Sequence, residues 1–228
     1  MRLTAYDFET TGVDPKTCEP VQLGTVVVTI NECGSYTVES EYETLLKPVN
    51  AIPEGAAAVH GITTEDAQYF GLDPFEQVKQ HVTGAVLGYN NNSYDNCIAR
   101  RYGGSITQSV DLFIGVSRMK KAKALPKASL GAAFQILTGK APENAHNALA
   151  DVYMTLELIP YVMKFAKVAT VSEVVQWLET PVIDINAPWP FGKHKGTPIR
   201  DLPKTYVTWA LENMSNLDAD LKGALLSL

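Results

Sequence analysis

The sequence predicts an α/β fold followed by a small, mostly helical module, and three observations carry that prediction. Its first forty-odd residues contain segments of period-two alternation rich in β-branched side chains. From Ala85 to about Phe165, short apolar runs alternate with segments of helical spacing. Beyond about Thr170, prolines and a compact basic turn replace that texture. A chain of 228 residues accommodates one ordinary domain with a small appendage.

Leu3 to Phe8 reads as the first strand, with Leu3, Ala5, Asp7 and Glu9 on one face and Thr4, Tyr6 and Phe8 on the other. Thr10-Thr11-Gly12 ends it. Leu23 to Ile30 is a second strand, Asn31 to Gly34 a turn, and Tyr36 to Leu46 a third strand. Their short connections predict an antiparallel meander. Pro53 to Gln68 reads as two short helical pieces, Pro74 to Val82 as another helix, Ala85 to Tyr89 as a strand and Tyr94 to Tyr102 as a helix. Ser109 to Ile114 is the expected last strand. Ser129 to Leu137 and Asn147 to about Phe165 are helices, the second with Leu149, Val152, Leu156 and Ile159 on its apolar face and a kink at Pro160. Three antiparallel strands followed by alternating strands and helices make a mixed sheet of ribonuclease-H-like type.

Val174, Val175, Trp177 and Leu178 mark a short helix that Pro181 stops, and Pro181, Pro188 and Pro190 read as a linker. Phe191-Gly192-Lys193-His194-Lys195-Gly196 is a basic turn before two helices, Lys204 to Asn213 and Asp218 to Leu226. The expected division is 1–168, a helix and linker over 169–188, and a module over 189–228.

Hydrophobic residues make up 46% of the chain and charged ones 19%, which is enough apolar material for a substantial core. A formal charge of −6 excludes a general polyanion binder coated in lysine, but not phosphate contacts made by a local patch. Cys18, Cys33 and Cys97 share no close spacing, so neither a disulfide framework nor a zinc motif is expected. Reduced thiols, no leader-like N-terminal segment and no apolar run near ~20 residues make the cytoplasm the expected location and a membrane an unexpected one.

Four carboxylates and one histidine are the candidate site. Asp7 and Glu9, at i and i+2 on a strand, project from one face, although a solvated strand end would look the same. Asp95 follows the polar run Asn90 to Ser93, and alone it reads equally as an acid stabilised by a helix N-terminus. His146 and Asp151 flank the start of a helix, so the histidine can fold back over a cleft that Asp151 enters from the first turns. Together they are what metal-assisted phosphodiester hydrolysis needs. Oxygen ligands suit Mg²⁺ or Mn²⁺, two such ions about 3.5–4 Å apart can clamp an in-line displacement, and an imidazole can prepare the attacking water.

The motifs Asp7-x-Glu9-Thr10, Asn91-x-Ser93-Tyr94-Asp95 and His146-x-x-x-x-Asp151 resemble those of the DEDDh, or DnaQ-like, 3′–5′ exonuclease family. Val59-His60-Gly61-Ile62-Thr63 is similar to another segment of these enzymes, while Asn90 stands where many relatives carry a histidine. The basic turn and Tyr206-Val207-Thr208-Trp209-Ala210-Leu211 resemble the tail of exonuclease X. The resemblance implies a nucleic-acid substrate, with DNA 3′ ends favoured, and two Mg²⁺ or Mn²⁺ ions. Asp7 would bridge them, Glu9 and Asp151 would complete one, Asp95 would hold the other through water, and His146 would be the general base. Thr10, Thr11, Gly12 and Asn91 would meet the terminal nucleotide, with Ile62 an apolar wedge against its base. Lys193 and Lys195 would contact phosphate. Arg118, Lys120, Lys121, Lys123 and Lys127 form a second basic run, readable as a phosphate track or a solvated face. No chemistry is assigned to His60 or His81, and no protein partner is indicated. An RNA exonuclease, a proofreading subunit and a non-catalytic nucleic-acid scaffold are the competing functions.

Overall fold

The strand that carries Asp7 and Glu9 is apolar on both faces, and this decides the layers around it. In the computed structural model, which describes residues 1–214, 217 and 219–228, this is β1 (Arg2–Thr10). Its Leu3 and Ala5 belong to one buried cluster with Val26, Val28, Leu87 and Val152. Tyr6 and Phe8 belong to another, with Leu23, Val78, Val86 and Ile98. A strand buried on both faces must be central and sandwiched by helices.

β1 pairs antiparallel with β2 (Pro20–Ile30), which pairs antiparallel with β3 (Tyr36–Leu45). On its other side β1 runs parallel to β4 (Thr83–Gly88), and β4 parallel to β5 (Ser105–Asp111). The order is β3-β2-β1-β4-β5, the mixed, ribonuclease-H-like sheet that the meander and the later alternation predict. β3 lies at the edge, largely exposed and rich in glutamate, which discourages pairing with another chain.

The helices are α1 (Glu54–His60), α2 (Thr64–Phe70), α3 (Pro74–His81), α4 (Asp95–Arg101), α5 (Leu112–Lys121), α6 (Leu130–Thr138), α7 (Ala148–Glu157), α8 (Ile159–Ala166) and α9 (Val171–Glu179). Three differences from expectation have physical causes. The last strand begins at Ser105 and stops at Asp111, because the Asp111 carboxylate accepts the Phe113 N–H at 3.0 Å and opens α5 there. α5 itself was not expected. Its basic end includes Arg118, which is buried, donates to the Trp177 carbonyl at 2.5 Å and lies 4.6 Å from the Trp177 ring centroid, so it is a packing residue and no part of a phosphate track. Pro160, in the first turn of α8 where its missing N–H costs nothing, separates two helices instead of kinking one.

The chain forms two compact units, Met1–Leu178 and Glu179–Leu228. Val171, Val174, Val175 and Leu178 of α9 are buried in the larger cluster of the first unit, so the first half of the expected connector is core. In the second unit Ile199 N–H bonds to the Ala187 carbonyl and Arg200 N–H to the Ile185 carbonyl, which draws the proline-rich stretch into its fold. Trp189 N–H to Thr197 O (2.7 Å) and Gly196 N–H to Trp189 O (2.8 Å) close the basic turn, where Gly192 and Gly196 have φ of 65° and 87°. These glycines serve the turn itself. α10 (Lys204–Asn213) and α11 (Ala219–Leu226) follow, and Asp218, the expected start of the last helix, lies outside the described residues. Among the described residues no helix is long and apolar enough to cross a membrane.

Candidate active site

One glycine brings two distant motifs together. Asp7 faces Gly24 across the β1–β2 ladder. A Cβ on Gly24 would fall 2.4 Å from the Leu149 backbone nitrogen and 2.6 Å from the Ala148 carbonyl carbon. Only a residue without Cβ lets α7 lie directly on the sheet here. Polar side chains then fix the start of that helix. Asn147 accepts the Ala150 N–H at 2.9 Å, Gln22 of β2 accepts the Ala148 N–H at 3.1 Å, and both amides donate to Glu43 of β3. Asp151 follows in the first turn, beside Asp7 and Glu9.

His146 enters from the preceding loop with φ 67°, a left-handed conformation uncommon for histidine. Glu9, His146 and Asp151 offer ligand atoms that all lie within 4.8 Å of one another. Asp95 opens α4, is buried, and accepts the Phe8 N–H at 3.3 Å. The β1–β4 pairing covers only Thr4 and Ala5 of β1, so this carboxylate serves backbone that the sheet leaves free.

The electrostatics have one sign. Burial, then Asp95, Asp151 and Glu9, hold the Asp7 carboxyl well above its ordinary range. Burial and the charges of Asp151 and Asp95 push Glu9 up to about 7. Asp95 rises to about 7, chiefly by burial and against the backbone N–H groups it accepts. Asp151 rises to about 6 by burial, opposed by the His146 charge and its backbone hydrogen bond. A carboxyl raised in the fold binds more protons there than in the unfolded chain, so its contribution to stability falls as pH climbs from about 4 to about 7. One oxygen of Asp151 is buried with no hydrogen-bond partner. Four crowded carboxylates, an orphaned oxygen and an imidazole fit one or more hard divalent cations.

Other expected residues land differently. Thr10 Oγ1 donates to the Gly12 carbonyl at 2.9 Å and lies 2.6 Å from the Tyr94 hydroxyl, which also donates to Gly12. The Thr11 hydroxyl accepts the Glu19 N–H at 2.9 Å. The Thr-Thr-Gly turn is therefore pinned to α4 and to the start of β2. Asn91 is fully buried, with its amide on Ser109 at 3.0 Å and its Oδ1 without a hydrogen-bond partner, so it braces the loop. Ile62 is packed with Val21, Ile52 and Ala67, which leaves little of it to wedge against a base. Lys193 and Lys195 lie in the second unit, which contributes none of these carboxylates.

Two residues were missed by the sequence reading. Asp111, buried at the end of β5, accepts N–H groups from Asn90 (2.8 Å), Asn92 (3.1 Å) and Phe113 (3.0 Å), fixing the loop that leads to Asp95. Burial raises its carboxyl to about 6, against those three bonds. No spacing advertised it. His60 Nδ1 accepts the Ile62 N–H at 3.0 Å, while its buried Nε2 faces the Thr10 backbone. Burial lowers its pKa, a hydrogen bond to the Thr10 backbone opposes that, and the charge of His146 lowers it further, which places it at the rim of the same cleft. Its Val-His-Gly-Ile-Thr setting was the available signal. His81 stacks flat on Tyr42 at 3.8 Å, a packing role.

No curated protein matches the chain in sequence. Among solved structures it is similar to the zinc-bound complex of Escherichia coli exonuclease I with single-stranded DNA (TM-score 0.61, 18% identity, covering 81% of this chain and 46% of that one). A further exonuclease I structure gives TM-score 0.65 at 16% identity over 96% of this chain and 61% of that one. The exonuclease I of Methylocaldum szegediense gives 0.58 at 21%, over 77% and 42%. The chain thus spans less than two thirds of these relatives' length, and at such identity the likeness establishes the fold. A family model named for a quorum-sensing-regulated virulence factor matches residues 182–214, a minor part of the chain. The RNase T exonuclease model matches residues 4–159, which take in nearly all of the sheet and every carboxylate of the cleft. With more than half of its length matched, the chain belongs to the exonuclease family.

Proposed function

We propose that the protein is a divalent-metal-dependent exonuclease that hydrolyses DNA from 3′ ends and releases 5′-mononucleotides. The observation that carries this reading is the convergence of Asp7, Glu9, Asp95 and Asp151, with His146 at the rim, from separate segments of a ribonuclease-H-like sheet. The single-stranded DNA and the zinc ion held by E. coli exonuclease I support a nucleic-acid substrate and a divalent cation here. Asp7, Glu9, Asp95 and Asp151 would together hold the two ions, with Asp7 central to the set. Mg²⁺ or Mn²⁺ bound there would supply positive charge against the charge developing on the phosphoryl oxygens and would acidify water. The protein's own part is to hold four crowded carboxylates in place, which bound cations would keep ionised against their burial, and to take a proton from the attacking water at His146. The Thr10–Thr11 backbone is suited to seat the terminal nucleotide. Three free thiols fit a reducing compartment, the cytoplasm.

End-labelled DNA and RNA of matched sequence, incubated with Mg²⁺ or Mn²⁺, test polarity and sugar together. DNA shortened stepwise from its 3′ end is the expected result. Loss from the 5′ end would overturn the polarity, and cleavage of RNA alone would replace the substrate. EDTA should abolish hydrolysis while leaving the circular dichroism spectrum unchanged, since the ions neutralise a cleft that the core does not depend on.

Asp111 should act through the loop it holds. Asp111→Ala strips three part-buried N–H groups of their acceptor, and removing residues that orient metal ligands typically costs about 10–100-fold in affinity or activity. Asp111→Asn keeps the carbonyl that serves Asn90 and Phe113 and should recover most of the loss. Full turnover by a folded Asp111→Ala at limiting Mg²⁺ would refute the role.

A further inference from the structure

The second unit carries an aromatic corner that its own packing does not account for. Trp189 is completely buried and donates Nε1–H to the Tyr206 hydroxyl at 3.2 Å, which fixes the Tyr206 ring. His194 leans on that ring with centroids 4.4 Å apart, and Lys193 Nζ lies 5.9 Å from its centroid. One turn along α10, Trp209 stacks against Tyr206 at 5.6 Å and 29°. Yet Trp209 is 49% exposed, and it stands outside the cluster of Trp189, Ile199, Leu202, Ala210 and Leu225 that forms this unit's core. A large aromatic face fixed at the surface beside a cation offers a stacking and cation–π surface to a ligand.

The chemistry around it selects the occupant. Gly192, Lys193, Thr205, Tyr206 and Trp209 line an open depression of about 580 Å³, within the ~300–1,000 Å³ usual for small-ligand sites, and no carboxylate is among these lining residues. The stretch from Lys193 to Lys204 holds Lys193, Lys195, Arg200 and Lys204 against one acid, Asp201. Arg200 is engaged with Asn186 and lies 3.7 Å from Asp201, so Lys193 and Lys195 are the cations of the turn best placed to meet an anion. A flat π-face beside ammonium groups suits a ligand with a planar ring and an adjoining phosphate. It disfavours a basic peptide, which the lysines would repel, and a purely apolar one, which would desolvate them.

We infer that the Lys193–Tyr206–Trp209 corner is a stacking site for an unpaired base of single-stranded nucleic acid, with Lys193 meeting a neighbouring phosphate. This rests on the proposed nucleic-acid substrate and adds a second point of attachment outside the carboxylate cleft. Stacking of this kind tolerates any base.

The test uses the full chain in EDTA, where nothing is cleaved, titrated with labelled oligo(dT) and with an abasic oligomer of equal length. Trp209→Ala should weaken oligo(dT) binding about 5–150-fold, which corresponds to ~1–3 kcal/mol per stacked base. Trp209→Phe should keep most of the affinity, and the abasic oligomer should bind wild type and Trp209→Ala alike. Lys193→Ala should reduce the log–log salt slope by about 0.7, one phosphate on a single strand. Unchanged oligo(dT) affinity in a folded Trp209→Ala would overturn the inference and leave a protein-docking face in its place. An equal loss on the abasic oligomer would overturn it too. Hydrolysis of thymidine 5′-p-nitrophenyl phosphate with Mg²⁺, measured in parallel, reads the carboxylate site by itself. Intact ester hydrolysis without stacking sinks only this inference, and stacking without hydrolysis sinks only the proposed activity.

Discussion

Asp7→Asn is expected to abolish turnover while making the metal-free protein more stable. The carboxylate sits between Glu9, Asp95 and Asp151, and all four are held above their ordinary pKa by burial and mutual repulsion. The amide keeps the volume and removes one of the repelling charges. In EDTA at pH 8 the variant should therefore melt above wild type, by about 2–4 °C for each kcal/mol of repulsion removed. The gain should shrink as pH falls from about 7 to about 4 and vanish below about pH 3, where the wild-type carboxyls are protonated in both states. With Mg²⁺ the order should reverse, because only the wild type gains the full binding free energy of the ions. A ligand central to the set is worth several kcal/mol of transition-state stabilisation, so hydrolysis should drop on the order of 10³-fold or more. Comparable turnover by Asp7→Asn would refute the metal assignment. A lower melting point in EDTA would refute the account of the repulsion.

His146→Ala should reduce kcat by about 10²–10⁴-fold with little change in KM, since a general base acts in the transition state. Its position admits a rival role, because its ring atoms lie as near to Glu9 and Asp151 as a metal ligand's would. The two are separable by titrating Mg²⁺. A general base leaves the half-saturating Mg²⁺ concentration unchanged, and added imidazole restores part of the rate. A ligand shifts that concentration upward, and excess Mg²⁺ restores the rate instead. The acid side of the rate profile would not discriminate, because protons compete with the metal for the carboxylates there as well.

Much of this protein was legible in the amino-acid sequence because its signals are local. Period-two alternation located β1, β2 and β3 to within a few residues, and the carboxylate motifs stand on elements whose starts are marked by turn and capping residues, as Asn147 marks α7. Other features depend on partners far along the chain. That Gly24 admits α7 to the sheet, and so sets Asp151 beside Asp7, follows from a strand pairing and a helix packing that no local pattern records. Asp111 looks like any strand-end acid until its three N–H donors gather around it. Ile62 and Asn91, read as substrate contacts, are buried, one in a small apolar cluster and the other with its amide on Ser109. Arg118 was drawn out of its basic run by the face of Trp177. Residue type and spacing determined which chemistry the chain could hold. Tertiary burial alone decided which of those side chains meet a ligand, because exposure, repulsion and orphaned hydrogen-bonding groups exist only once distant segments have packed.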